Sequence, residues 1–394
     1  MFLTKEEEKI YDGEYGEAKA SMMRLLVAIG DIYGASKLIR PINAHISGVS
    51  YKTIGDVGLE FLEDLAKKNV KANIQSQLNP AGMDLKNWSK LNTSKNFAKK
   101  QIRIILAYEK IGIKPLCTCT PYLVGISPRK NEHIAWAESS AVVYANSVLG
   151  ARTNRESATT ALASAIVGKT PFYGLHLKEQ RNPTHLIDVK LDLSNEIDFS
   201  LLGYKIGKEL RIGVPFIRGI KGKIKNEYLK ALSASIAVSG SIAMFHIEGV
   251  TPESNIKVRN LEKIVITDYE LKKINEELSS TSEFDVVCVG CPHCSINEIR
   301  YIAKMMKGKK FKKRFFIYTS RKILELAKKM GYINIIESAR GKIISDTCMV
   351  VSPLENLGIK SVLTNSCKAA YYISSLCRLK VKIADLYKCI QYAT

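Results

Sequence analysis

The stretch Asp285-Val286-Val287-Cys288-Val289-Gly290-Cys291-Pro292-His293-Cys294-Ser295 decides the fold. Its apolar run, Asp285 to Val289, is bounded by Gly290 and Pro292 and reads as a buried strand entering a turn. Ile296 to Met306 then takes up helical spacing. Beyond it the chain predicts a strand at Phe315 to Tyr318, a helix at Arg321 to Met330 and a strand at Asn334 to Ile336. Further strands are expected at Lys342 to Ser345 and Ser361 to Thr364, and a helix at Ala369 to Cys377. Strands alternating with helices of this length predict a mostly parallel sheet. Residues 284–394 thus read as a Rossmann- or flavodoxin-like α/β domain. The polar, Ser-rich segment Glu276 to Glu283 marks its boundary with 1–275, which is read as one or more α/β units.

Upstream, helices are predicted at Glu17 to Tyr33, Thr53 to Lys68, Ser94 to Ile111, His133 to Leu149 and Ser157 to Val167. Thr53 and Asp56 approximate a capping box, and Gly112 ends the third of these helices. A short strand, Lys114 to Cys117, is expected to run into Thr118-Cys119-Thr120-Pro121-Tyr122. There is no internal repeat and no low-complexity linker.

A chain of 394 residues is too long for one compact domain. With 46% apolar and 25% charged residues it is neither disordered, collagenous nor coiled-coil. No apolar run approaches the roughly 18 to 20 residues that span a bilayer, so no membrane partner is expected. The acidic start, Met1 to Glu8, lacks an apolar signal region, and a cytoplasmic location is expected. Lys and Arg number 59 against 38 Asp and Glu, a formal net charge of +21. That balance suits an anionic substrate or an acidic partner. No recognition motif accompanies it, so nucleic acid is not an expected partner, and the dense run Lys304 to Arg314 reads as a solvated surface.

Nine cysteines in a large chain of this kind argue against a disulfide framework. Ligands of parallel sheets sit beyond the carboxyl ends of the strands. That rule selects Cys291, Cys348 and the group Asn365, Ser366 and Lys368, each of which follows an expected strand. Cys119 follows one in the other unit, with Cys117 as the alternative. Cys288 falls inside a strand and reads as core; Cys294 fits either role, and a zinc site using His293 stays open. Singly, each of these thiols is more ordinarily a buried one; their shared position is the signal. Three thiolates leave one corner of an iron–sulfur cluster open, and an open iron is a Lewis acid suited to dehydration. The turn Ser47-Gly48-Val49-Ser50 before a helix can hold an anion or be a plain N-cap. Asn79-Pro80-Ala81-Gly82-Met83-Asp84 reads as a turn, and Glu138-Ser139-Ser140 as a mid-helix segment.

Together, Ser47 to Lys52, Leu78 to Asp84, Thr118 to Tyr122, Ala137 to Ala141, Gly150 to Arg155, Gly290 to His293, Asp346 to Cys348 and Thr364 to Lys368 resemble the aconitase X family over nearly the whole chain. The resemblance implies an aconitase-like α/β fold, with mostly parallel sheets flanked by helices and domains enclosing a cluster cleft. It implies a [4Fe-4S] cluster held by Cys119, Cys291 and Cys348, with a [2Fe-2S] centre as the other nuclearity. Substrate contacts are implied for Gly48, Val49, Ser50, Asn79, Pro80, Glu138, Ser139 and Lys368. The implied reaction is loss of water from (R)-5-phosphomevalonate, giving trans-anhydromevalonate 5-phosphate in an archaeal mevalonate pathway. The alternatives are a hydroxyproline dehydratase of the same family and, from another class, a metal-binding redox sensor. No catalytic base is expected in this chain. In the family a serine on a small swivelling domain takes the proton, so a small swivelling-domain subunit is the implied partner.

Overall fold

The computed structural model describes residues 1–394 apart from Lys257 and Arg259, and apart from the side chain of Lys90. In chain order its strands are β1 Leu38–Ile39, β2 Asn43–Ile46, β3 Gln75–Leu78, β4 Ala135–Trp136, β5 Thr170–Pro171, β6 His185–Val189 and β7 Pro215–Arg218. They continue with β8 His246–Ile247, β9 Glu262–Ile266, β10 Val286–Val289, β11 Arg314–Thr319, β12 Lys342–Ser345, β13 Ser361–Thr364 and β14 Lys380–Ile383. They assemble as β3-β2-β4, β8-β7-β6-β9 and β12-β11-β10-β13-β14, plus the small pair β1-β5. Every pairing in the three larger sheets is parallel; β1 and β5 alone among these pair antiparallel. The chain is therefore α/β, with helices covering parallel sheets.

The last sheet has the doubly wound order, with its first strand, β10, flanked by its second and its fourth. The first sheet repeats this arrangement. A single parallel bridge from Gln77 to Lys114 extends it beyond β3, so β2 lies between β3 and β4 just as β10 lies between β11 and β13. One hydrophobic core joins the second and third large sheets through Ile187, Phe199, Leu232, Val286, Phe316 and Val362. A separate core under the first sheet includes Leu26, Ile46, Leu62, Leu78 and Ile166. Among the described residues no helix is long and apolar enough to cross a membrane.

Several local expectations need correction. Asn334 to Ile336 is not a strand but part of the helix Tyr332–Ser338. Ile333 and Ile336, one turn apart, are its buried residues, so a three-residue period overrides the β-branched composition. Lys114 to Cys117 makes only the one bridge at Lys114, and Cys117 turns the chain with φ 43°. His133 to Leu149 is not one helix. β4 occupies Ala135–Trp136, the helix Ser139–Tyr144 follows, and a wider π turn covers Ala145–Leu149. The helix after Gly48 runs Tyr51–Lys67 and is capped by Ser50, not Thr53. Asp56 accepts from Lys100 and Tyr51 instead of serving a capping box.

Candidate functional site

In doubly wound sheets the crevice lies where two neighbouring strands send their connections in opposite directions, beyond their carboxyl ends. In the C-terminal sheet that point is between β10 and β13. Cys291 follows β10; Ser366 caps the helix Cys367–Ser375 after β13, which places Lys368 in its first turn. In the first sheet the point is between β2 and β4. Gly48 to Ser50 follow β2 and Glu138 follows β4, while Asn79 follows β3 and Cys119 follows the Lys114 bridge.

The two crevices are stitched together. Ala81 N–H donates to the Asp346 carbonyl at 2.8 Å, and Ala81 bridges Thr347 in parallel. Ser50 Oγ donates to the Val351 carbonyl at 2.8 Å. Arg321 bridges two buried carboxylates, donating to Asp84 Oδ1 at 2.8 Å and to Asp346. Asp84 in turn accepts from the Ser345 N–H at 3.2 Å. Residues 79–84 of one sheet and 345–348 of the other are thereby fixed as one unit.

The thiol side is built mainly from backbone and neutral groups, with one buried ion pair behind them. Gly290 has φ 102°, and a Cβ there would lie 2.1 Å from the Tyr318 carbonyl oxygen, so only glycine turns the chain this close to β11. Next comes His293, fully buried. Its N–H donates to Cys119 Sγ at 3.2 Å, its Nδ1 meets Thr118 Oγ1 at 3.1 Å and its Nε2 meets the Thr347 carbonyl at 2.9 Å. Burial holds the imidazole down at about 4, so it is neutral. Lys230, buried on the helix Asn226–Ser239, donates to the His293 carbonyl at 3.0 Å and pairs with Glu298. Cys119 is buried, while Cys291 and Cys348 are half-buried.

The charged side faces these thiols. Lys368 Nζ pairs with Glu138 and lies 3.4 Å from both Ser139 Oγ and Ser140 Oγ. Asn79 Nδ2 donates to Glu138 Oε2 at 2.8 Å, and Ser140 Oγ donates to Glu138 Oε1 at 2.9 Å. Glu138 is the N-cap of its helix rather than a mid-helix residue. Burial raises its carboxyl, but the Lys368 charge and these hydrogen bonds outweigh burial and hold it at about 2. Lys368 is raised in return: burial opposes its charge, and Glu138 overcomes burial.

Both members of the pair are felt by all three thiols. Burial pushes each thiol up, Cys291 to about 12; the Glu138 carboxylate adds to the rise and the Lys368 ammonium opposes it. Cys348 also raises both Cys119 and Cys291. The expected ligands and the expected anion-binding pair therefore share one locus. Pro80 is buried beside Asn79, Val49 is buried, and the Val49 carbonyl accepts from Gln101 Nε2 at 2.8 Å. Gly48 has φ 72°, and a Cβ there would come within 2.9 Å of the Ala158 Cβ.

The donor set fits a cluster better than a single ion. Thiolates suit iron–sulfur centres, and these three arrive on three separate segments. Both ring nitrogens of His293 are engaged, which removes it as a zinc ligand. Cys288 and Cys294 are buried in the cores, and Cys117 is fully buried, its thiol raised by burial and by Asp346. A cleft of about 790 Å³ lined by Glu196, Tyr228, Tyr301 and Leu386 holds none of the expected site residues.

Four contributors lay outside the sequence reading. Ser140 and Asp84 were inside quoted motifs but had no assigned role. Arg321 is the first residue of a predicted helix and looks like surface. Lys230 left a faint signal: it shares the buried stripe of Ala234 and Ala237, where a cation needs a partner.

Comparison with known proteins identifies the family. Family models described as the Aconitase X first, second and third domains match residues 1–179, 183–276 and 284–394. The phosphomevalonate dehydratase large subunit of Methanocaldococcus jannaschii is 52% identical over 98% of both chains. The cis-3-hydroxy-L-proline dehydratase of Pseudomonas aeruginosa is 33% identical over 98% of this chain and 69% of its own length. A crystal structure of Thermococcus kodakaraensis aconitase X in its holo form matches with a TM-score of 0.94 at 44% identity, covering both chains completely. The chain belongs to the aconitase X family.

Proposed function

We propose that this chain is the large subunit of a hydro-lyase that dehydrates (R)-5-phosphomevalonate to trans-anhydromevalonate 5-phosphate, in the cytoplasm of an archaeon with that branch of isoprenoid synthesis. One observation carries the reading: the buried Lys368–Glu138 pair joins the turns after β13 and β4, while His293, two residues beyond Cys291, bonds Cys119 Sγ at 3.2 Å and the carbonyl of Thr347, the neighbour of Cys348, at 2.9 Å. The full-length likeness to named phosphomevalonate dehydratase large subunits favours this substrate over hydroxyproline, whose dehydratases are more distant and longer.

Cys119, Cys291 and Cys348 are the residues that would hold a [4Fe-4S] cluster. When bound, such a cluster supplies a Lewis acid for a leaving hydroxyl. The remaining work falls to the chain's own groups. The substrate brings a carboxylate and a phosphate to a protein of net charge +21. Lys368 is the buried cation placed to receive one of them, with Ser139 and Asn79 beside it. The turn Gly48 to Ser50, which the family resemblance implies as a substrate contact, follows β2 at the same crevice.

A base has to approach the proton within about 3 Å and wants a pKa near the working pH. Glu138, held at about 2, is a poor base. His293 has no free ring nitrogen. The reading therefore assigns the base to a small swivelling-domain subunit, which would also shield the site from water. In domain terms the substrate- and cluster-binding unit 1–275 and the Rossmann-like unit 284–394 would form two walls, and the partner the lid.

Anaerobic reconstitution with the small subunit tests this. Turnover of phosphomevalonate is expected from the pair and not from this chain alone. Robust turnover by the isolated chain would remove the partner from the reading, and a preference for cis-3-hydroxyproline would replace the substrate. Cys119→Ala, Cys291→Ala and Cys348→Ala should each abolish the visible absorbance of the reconstituted protein. Cys389→Ala, whose thiol lies in the core beside β10 and β13, should keep it.

A further inference from the structure

We infer that His293 is a positioning residue that sets the spacing of the three thiols before any cluster is present. The inference rests on the reading of Cys119, Cys291 and Cys348 as cluster ligands and goes beyond it.

The hydrogen bonds allow one arrangement of the ring. The Thr347 carbonyl can only accept, so Nε2 carries the proton and donates to it. Nδ1 pairs with the Thr118 hydroxyl at 3.1 Å. That hydroxyl oxygen still accepts from Thr120 N–H at 3.1 Å. The Thr118 carbonyl is held by His45 Nε2 at 2.8 Å. Thus one ring grips the residue before Cys119 and the residue before Cys348. The same residue's N–H reaches the Cys119 sulfur, and its position is two residues beyond Cys291. Lys230 anchors the hub from behind through the His293 and Pro292 carbonyls.

Without the ring, Thr347 and Thr118 would each lose a buried partner, and the Cys119 and Cys348 segments would be tied to the Cys291 turn by fewer bonds. Outer-shell partners of metal ligands commonly change metal affinity by about 10- to 100-fold when removed, because they fix ligand orientation. A simple core role would cost stability alone. A hub role predicts a specific loss of cluster retention.

The test compares wild type, His293→Phe, His293→Gln and His246→Phe after anaerobic reconstitution. His246 is an equally buried histidine on β8, bonded to the Arg181 carbonyl at 2.8 Å and outside the site, so it reports generic core damage. The readouts are iron and labile sulfide per chain, the rate of iron release to a ferrous chelator and the melting temperature of the apo-protein. Release from His293→Phe is expected to be at least tenfold faster than from wild type. His293→Gln, which can restore one of the two ring bonds, should fall between them, and His246→Phe should lower the melting temperature but release iron like the wild type. Equal release from wild type and His293→Phe, or equal acceleration in His246→Phe, overturns the hub. If His293→Phe does not fold, unchanged release from His293→Gln overturns it. A wild type that takes up no iron and sulfide refutes the ligand reading and the hub with it, whereas failure of the hub alone leaves a wild type with its cluster.

Discussion

The end of β4 and the end of β10 present site residues in the same way, but different physics holds them there. Beyond β4, Glu138 is fixed by charge, with Lys368 against it and Asn79 and Ser140 completing its shell. Beyond β10, the Cys291 turn is tied to the other segments by a neutral lock, with a glycine at φ 102° and an uncharged imidazole bonded to two of them, and the Lys230–Glu298 pair holds its backbone from behind. A buried charge pair is robust while complete and severe when halved, because the remaining charge stays desolvated. A neutral lock loses roughly 1 kcal/mol per bond. The difference suits the two jobs. Under the proposed function an anionic substrate would exchange partners with the ion pair, whereas thiol ligands would need fixed spacing.

The largest effect is expected from halving the pair. Lys368→Met should destabilise the fold by about 3–5 kcal/mol in denaturant titration, since Glu138 is left buried and unpaired. Adding Glu138→Leu should recover much of that loss. A double-mutant cycle with no coupling between the two positions would show that solvent reaches the pair, and the contrast drawn here between charge and neutral lock would fail.

The same pair gives a pH signature. Glu138 is depressed from 4.5 to about 2, so its stabilisation is complete above 4.5 and is lost as pH falls toward 2. The loss across that window should be about 3 kcal/mol. Glu138→Gln should remove this portion of the acid dependence. An unchanged acid limb in that variant would assign the dependence to other carboxylates, such as Asp188, which Lys263, Arg218 and Lys190 hold low.

Arg321 sharpens the comparison, because it is a charge lock placed on the neutral side. Arg321→Met should cost about 2–3 kcal/mol, as two buried carboxylates lose a charged donor. Cluster retention should also fall, because Asp346 immediately precedes Thr347 and Cys348. A stability loss with normal retention would separate the Asp84–Arg321–Asp346 group from the thiols.

What the sequence revealed follows the same division. The C-terminal sheet was legible because β10 is a continuous apolar run and β13, like it, is buried on both faces. Its candidate residues followed from strand ends, and their proposed roles from the family resemblance. The first sheet was harder to read. β4 is two residues long, and the helix-favouring run after it hid both the strand and the N-cap role of Glu138. Its local pattern read as mid-helix, and its partner Lys368 lies 230 residues away. The lock at His293 was illegible for a related reason. Its motif was visible, but Thr118 and Thr347 lie 175 and 54 residues off, and no local pattern records a bond of that range.

The smallest effect is expected at Tyr122, next to the neutral lock. Its ring stacks on Tyr144 with centroids 3.9 Å apart and planes within 9°. Its hydroxyl is buried, and among the described residues it has no hydrogen-bond partner. An unpaired buried hydroxyl opposes folding, whereas the stacking belongs to the ring. Tyr122→Phe keeps the ring and removes the opposing group. Stability should therefore be unchanged or higher by up to about 1 kcal/mol, with cluster retention as in the wild type. Burial and the neighbouring Tyr144, Cys119 and Glu138 all raise this phenol, so the hydroxyl stays neutral at every working pH and its removal adds no charge effect. A drop in stability would mean that the hydroxyl does make a bond in the folded chain. The neutral side would then hold a further polar anchor beside Cys119, and its tolerance of single losses would be smaller than the comparison with Glu138 and Lys368 implies.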